Sequence, residues 1–198
     1  MTASSPTLCS TSLPVVIVLA AGRGERFAAS GGSTHKLAAL LAGKPVLQHV
    51  LDAVLASGLP HHVVQADAAR PGMGDSIAAG VRATADAPGW LILPADLPLV
   101  CGETLRAVAW ALLQHAVAVP LYKGARGHPV GFSAACGPAL LDLKGNQGAS
   151  LVLRSQEAIN SVAFLALDDI GIVTDVDTVD DLARAEALLA ARSVASAS

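Results

Sequence analysis

Aromatic residues are nearly missing from this sequence: one Tyr, two Trp and three Phe make up 3% of its 198 residues. Without large rings, a core has to be filled by aliphatic side chains. The 53% hydrophobic content, much of it Ala, suffices for one finely packed, helix-rich core. Charge is also sparse, at 15% with a net −3, so no global field attracts nucleic acid or an acidic membrane, and any anion has to be recognised locally. Cysteine is limited to Cys9, Cys101 and Cys136, odd in number and far apart, without CxxC or a His/Cys metal pattern. That usage excludes a disulfide framework and a zinc site, and predicts reduced structural thiols in a cytoplasmic protein. Long apolar runs are lacking too. The strongest, Leu13 to Ala21, is less than half a membrane span, so no membrane partner is expected. The small, polar stretches 1–12 and 193–198 are expected to be flexible tails around a single domain, 13–192.

What is present is alternation. The run VVIVLA (15–20) is continuous and β-branched, as in a parallel strand covered on both faces. A helix is predicted over 45–57, with Pro45 at its first position and Gly58 as its stop. A strand follows at 61–65, then a helix over 75–85 capped by Asp75 or Ser76, a strand at 90–96, a helix over 103–115 and a strand at 116–122 that Pro120 pushes toward an edge. A capped helix ends the series from Thr178. Trp90 and Trp110 read as core or helix-packing residues. This order predicts an α/β fold, a three-layer α/β/α sandwich with a mostly parallel Rossmann-like sheet, whose ligands lie beyond the carboxyl ends of the strands.

The segment after the first strand, AAGRGERFAASGGSTHKL (20–37), therefore lies where ligands bind. Between Ala20 and Lys44 it offers Arg23, Arg26, Lys36 and Lys44 against Glu25, with His35 as a further donor. Gly22, Gly24, Gly31 and Gly32 leave backbone N–H groups open to close approach. A polyphosphate suits both features; the alternative is a solvated loop with incidental arginines. No GxxxxGK[ST] motif is present, and a dinucleotide fingerprint starting at Gly22 fails at Phe27 and lacks an acidic residue after the second strand.

The segments LAAGRGERF (19–27), HKL (35–37) and GKPVL (43–47) closely resemble the signature of MobA-like nucleotidyltransferases. GMGDSIAAG (72–80), LPADLPLV (93–100), RGHPVGF (126–132) and DVDTVDDL (175–182) are similar to its molybdenum cofactor cytidylyltransferase branch, over nearly the whole span from Val15 to Leu189. The resemblance implies a fold of the nucleotide-diphospho-sugar transferase type. It also implies transfer of a nucleoside monophosphate from an NTP, favouring CTP, to the phosphate of a molybdopterin-type cofactor, with pyrophosphate as the other product. It aligns Arg26 and Lys36 with the family's phosphate clamps and implies a nucleotide site of Leu19, Ala20, Ala21, Gly22, Arg23, Gly24, Arg26, Lys36, Gly74 and Ser76. Catalysis is then assigned to Arg26, Lys36 and Asp96.

Magnesium, which takes one or two carboxylates plus phosphate and water oxygens, would be held by Asp96 at the end of the third strand. Asp175 and Asp177 share one side of an extended segment, and the resemblance favours Asp177 as second ligand with Asp175 in reserve. His128 and Pro129 align with an acceptor-binding motif. Ser76 reads equally as a donor to base or ribose and as a plain helix cap. The implied partners are the NTP, the molybdopterin-type cofactor and a molybdoenzyme or its maturation chaperone.

Two departures from the pattern stand out. Only 66–71 separate the second strand from the GMG turn, where relatives place another βα unit. GNQGAS (145–150) replaces a GDxGAR pattern, with Asn146 and Ser150 in place of a carboxylate and an arginine. The alternatives are a guanylyl or a sugar- or alcohol-phosphate transferase, a nicotinamide-dependent oxidoreductase, and a non-catalytic cofactor carrier.

Overall fold

The computed structural model describes residues 12–66 and 72–196, so the expected N-terminal tail lies almost wholly outside the described residues. In chain order the elements are β1 (Val15–Ala20), α1 (Glu25–Ala29), β2 (Leu40–Leu41), β3 (Lys44–Pro45), α2 (Val46–Ser57), β4 (His61–Gln65), α3 (Met73–Ala83), β5 (Gly89–Pro94), α4 (Gly102–Ala111), β6 (Val117–Tyr122), β7 (Ala125–Arg126), β8 (Val130–Ser133), α5 (Gly137–Leu141), α6 (Ser150–Glu157), β9 (Val162–Ala166) and α7 (Val179–Ser196). The last helix runs into the segment expected as a C-terminal tail.

The main sheet has the order β4-β1-β5-β8-β6, with β9 and the short β7 both on β6. β1 is parallel to β4 and β5, and β6 to β9; β8 is antiparallel to both β5 and β6. Five strands thus share one direction, and β7 and β8 oppose them. The period-2 alternation of β1 divides the core. Val16 and Val18 pack into a cluster with Val50 of α2, Leu105 of α4 and Ala185 of α7. Ile17 packs into a second cluster with Ile77 of α3, Leu140 of α5 and Val152 of α6. Burial of each such aliphatic side chain contributes about 1.5–3 kcal/mol. A Cβ on Gly80 would lie 2.6 Å from Ile17 Cγ2, so glycine there is what lets α3 lie close on β1.

Several local expectations are corrected. Pro45 is the residue before α2 rather than its first, because Lys44 and Pro45 pair with Leu41 and Leu40. α3 starts at Met73, without a side-chain cap. α4 ends at Ala111, beyond which Leu113 and Gln114 donate to the carbonyls three residues back, tightening the last turn. Pro120 sits in a strand with neighbours on both sides, not at an edge. Its missing N–H faces the β8 side, where the ladder has already ended at Ala118, and its carbonyl accepts from Gly127 N at 2.9 Å. Trp90 is buried, but Trp110 is 69% exposed on α4, so it is not a core residue. Among the described residues β4 is an edge of the sheet, and its connection to α3, where a further βα unit is expected of relatives, crosses 67–71, which lie outside the described residues. Among the described residues no helix is long and apolar enough to cross a membrane.

Candidate active site

The loop leaving β1 is held by three anchors. Gly24 adopts a left-handed φ of 67° at the start of α1, and a Cβ there would touch the His35 ring at 3.4 Å. Phe27 of α1 is buried in the core. His35 Nε2 donates to Gly22 O at 2.9 Å while its Nδ1 accepts from Leu37 N at 3.3 Å, which ties the two ends of the loop together. His35, expected as an extra donor to a ligand, is therefore a strut within the loop.

The turn that begins at His35 aims Lys36 into the space beyond β1 and β5. Its ammonium donates to Asp96 Oδ2 and to Asp177 Oδ1, each at 2.6 Å, and its side chain is only 10% exposed. Arg26, largely exposed, donates to the other carboxylate oxygen, Asp177 Oδ2. Burial on its own would lower the Lys36 pKa, but the bonds to Asp177 and Asp96 and the charges behind them outweigh it and hold the ammonium above its ordinary 10.5.

Two backbone features deliver the carboxylates. Ala95 N donates to Leu19 O at 3.2 Å, which carries β5 past β1, and Val176 N donates to Asp96 O at 2.9 Å, which draws the 175–177 segment alongside. At the start of α7, Thr178 and Asp181 form a reciprocal cap: Asp181 Oδ2 accepts from Thr178 N at 3.0 Å, and Asp181 N donates to Thr178 Oγ1 at 3.2 Å. Hydrogen bonds from Thr178 hold the Asp181 carboxyl below its usual range. With the helix capped this way, the Asp177 side chain is left for Lys36 and Arg26. Asp175 is exposed and lies outside the cluster.

These groups line one side of a cavity of about 700 Å³, within the range of small-molecule sites. Leu19, Ala21, Gly22, Arg23, Gly24, Arg26, Lys36, Ser76, Asp96 and Asp177 all reach its wall; Ala20 and Gly74 do not. Ser76 is buried and donates to Gly72 O at 3.1 Å, so its hydroxyl proton serves its own helix. His128 and Pro129 also lie off this wall, joined by a cis peptide bond just before β8. Burial lowers the His128 pKa below 6.5, only partly opposed by its bond to the Ile92 backbone and by the charges of Asp96 and Asp175; its Nδ1 is buried without a partner.

Lys44 does not join the site: it pairs with Asp52 of α2 at 2.6 Å. Sequence reasoning also passed over Met73, Pro94, Gly145 and Asn146 as wall residues. Pro94 was within reach, standing two residues before Asp96, and the 145–150 departure marked Asn146. Among the described residues, the charged side chains of the wall are Arg23, Arg26 and Lys36 against Glu25, Asp96 and Asp177, so the described wall is charge-balanced rather than cationic as the loop alone suggested.

An α/β sheet with a glycine loop, paired carboxylates and clustered cations at its carboxyl edge defines a nucleotide-handling class of protein. The MobA-like NTP transferase domain family model matches residues 16–159, and the chain belongs to that family. Among curated proteins, purine catabolism protein PucB of Bacillus subtilis (strain 168) is 36% identical over 115 residues, which span 57% of this chain and only 55% of PucB. Among solved structures, Rv0371c from Mycobacterium tuberculosis H37Rv superposes with a TM-score of 0.72 at 26% identity, covering 89% of this chain and 98% of that one. The structure of Rv0371c in complex with manganese gives 0.67 at 26% identity, over 87% and 97%. Molybdopterin-guanine dinucleotide biosynthesis protein A from Archaeoglobus fulgidus, at 17% identity, has a TM-score of 0.65 over 89% and 98% and shares the fold.

Proposed function

We propose that this chain is a divalent-metal-dependent nucleotidyltransferase that moves a nucleoside monophosphate from an NTP, CTP in the favoured case, to the phosphate of a molybdopterin-type cofactor and releases pyrophosphate. The observation that carries this reading is the single ammonium, Lys36 Nζ, held between Asp96 and Asp177 at the mouth of the glycine loop. Transfer brings an acceptor phosphate oxygen onto the α-phosphorus as the bond to the β-phosphate oxygen breaks, one anion approaching another. The site therefore has to supply positive charge and in-line placement, and little covalent work. Arg26 and Lys36 are the groups available to follow the leaving pyrophosphate, and the amides of 21–24 the donors available to its oxygens.

The donor set also fits a divalent ion. Asp96 and Asp177 present hard oxygens to one point, where a cation now sits 2.6 Å from each. Among the described residues there is no group of three or more His, Cys, Asp or Glu able to hold a metal, so phosphate and water oxygens would complete the shell. Magnesium is the expected ion; manganese is the ion named in the Rv0371c complex. When bound, it would offset charge building up on the phosphoryl oxygens.

His128 and Pro129, beside Asp96 at the same sheet edge, are offered as acceptor contacts. A phosphate nucleophile is already ionised near neutral pH, so His128 has no required role as a base. The product would pass to a molybdoenzyme or its maturation chaperone in the cytoplasm. The test is pyrophosphate release from each of the four NTPs with magnesium and molybdopterin cofactor. CTP should lead; preference for another base refutes the cytidylyl assignment, and no release from any refutes nucleotidyl transfer.

A further inference from the structure

The N-terminus of α3 faces the same cavity, and a free helix start would be a natural place for phosphate. Here its Gly74 amide is already taken. Gly74 N donates to Gly145 O at 2.8 Å, and Gly145 N donates back to Asp75 Oδ2 at 3.0 Å, so the 144–147 turn is docked on the first turn of the helix by a reciprocal pair of bonds. The fit is backbone on backbone. A Cβ on Gly72 would stand 2.0 Å from Gly145 O, and one on Gly74 would stand 2.6 Å from Gln147 O. The turn is closed on itself by Gln147, whose N donates to Lys144 O at 3.2 Å and whose Oε1 accepts from Lys144 N at 3.3 Å. Gly145 and Asn146 then form cavity wall next to Met73 and Ser76.

We infer that Asp75 is a positioning residue for the nucleotide: its carboxylate latches the 144–147 turn onto α3, and the latched turn sets the wall against which the uncharged, nucleoside end of the ligand rests. With the Gly74 amide taken by Gly145 O, the phosphates are left to Lys36, Arg26 and the loop after β1 at the other end of the cavity. Asp75 is within the turn's hydrogen-bond reach but does not itself line the cavity, so it acts through Gly145. The inference rests on the nucleotidyl-transfer reading.

The test measures binding of each NTP with magnesium by calorimetry, together with steady-state kinetics, on full-length protein. Asp75→Ala should raise the NTP Kd and KM about tenfold, the worth of one hydrogen bond to a charged group, with kcat and the acceptor KM within twofold. Asp75→Asn keeps an oxygen for Gly145 N and should restore most of the affinity. Gly72→Ala, which drives a methyl into the Gly145 backbone, should reproduce the Asp75→Ala effect without touching the carboxylate. Loss of protection of the Gly145 amide in hydrogen exchange should accompany both damaging variants. Wild-type affinity in Asp75→Ala, or tighter binding from removal of a negative charge, overturns the latch and leaves the transferase reading intact. A wild-type protein that binds no NTP overturns both.

Discussion

Replacing Lys36 by Met keeps the aliphatic stem that packs under Gly22 and Gly24 and removes only the ammonium between Asp96 and Asp177. If those carboxylates hold the metal, a divalent ion arriving without nucleotide has to expel Nζ from two charge-assisted bonds of 2.6 Å. Such bonds contribute about 1.5–3 kcal/mol each, and the low end applies here because both carboxylates keep some solvent exposure. Two of them come to about 3 kcal/mol, or roughly a hundredfold in affinity at 1.36 kcal/mol per decade. Manganese should therefore bind Lys36→Met about a hundredfold more tightly than wild type in the absence of nucleotide, read from the free-ion signal by electron paramagnetic resonance. In wild type, the NTP should close that gap by drawing the ammonium onto its phosphates, and transfer by the variant should fall by about 2–4 kcal/mol in transition-state stabilisation. Equal or weaker manganese affinity in Lys36→Met would show that the ammonium and the ion do not compete, and the metal assignment of Asp96 and Asp177 would fail with it.

Asp96→Asn should abolish detectable manganese binding with and without nucleotide while leaving the thermal unfolding midpoint within a few degrees, since it keeps the shape of the side chain. Arg26→Ala, at an exposed position, should cost about 2 kcal/mol in kcat/KM for the NTP and little stability, checked by kinetics and thermal melts on the same samples. Asp181→Ala removes the reciprocal cap of α7 and should destabilise the fold by about 1 kcal/mol in denaturant titrations. Burial depresses the His128 pKa, so the unfolded chain takes up a proton there before the folded one does. Stability is then whole above pH 6.5 and falls as pH drops below it, and His128→Gln should flatten that acid limb in melts recorded between pH 5 and 7.5.

Much of the scaffold was legible because each layer writes its own period. Continuous β-branched runs such as β1, alternating along the chain with capped amphipathic segments, pointed to the three-layer fold, and the glycines after Ala20 to the edge where a ligand would lie. Composition and periodicity alone do not say which distant groups meet; the family resemblance is what put Arg26, Lys36, Asp96 and Asp177 in one site. Lys36 and Asp177 are separated by 141 positions, and only the passage of Val176 alongside Asp96 brings them together. Counting charge along the loop alone produced an excess of cations, because Lys44 was assigned to a site it leaves for Asp52, and because Asp96 and Asp177, which balance the rest, come from the segments after β5 and before α7. Trp110 failed for a different reason: its spacing is helical, but α4 buries the Leu105 and Val108 face and turns position 110 outward. The docking of 144–147 on α3 had no local signature, since glycines in a GMG turn read equally as a flexible bend and as room for another backbone.

Charge balance at rest has a consequence for how a protein with a net charge of −3 would take up a strongly anionic ligand. Free cations in a half-buried cavity would repel each other and carry a desolvation cost, and so would two bare carboxylates. Pairing Lys36 with Asp96 and Asp177, and Arg26 with Asp177, removes both penalties before any ligand arrives. An NTP alone would strip the cations and leave the carboxylates facing its phosphates; a metal ion alone would strip the carboxylates and leave the cations facing it. Only both together re-pair every charge, the cations with phosphate oxygens and the carboxylates with the ion. On the proposed reading, the affinity of each is therefore raised by the other, and linkage requires the two increases to be equal.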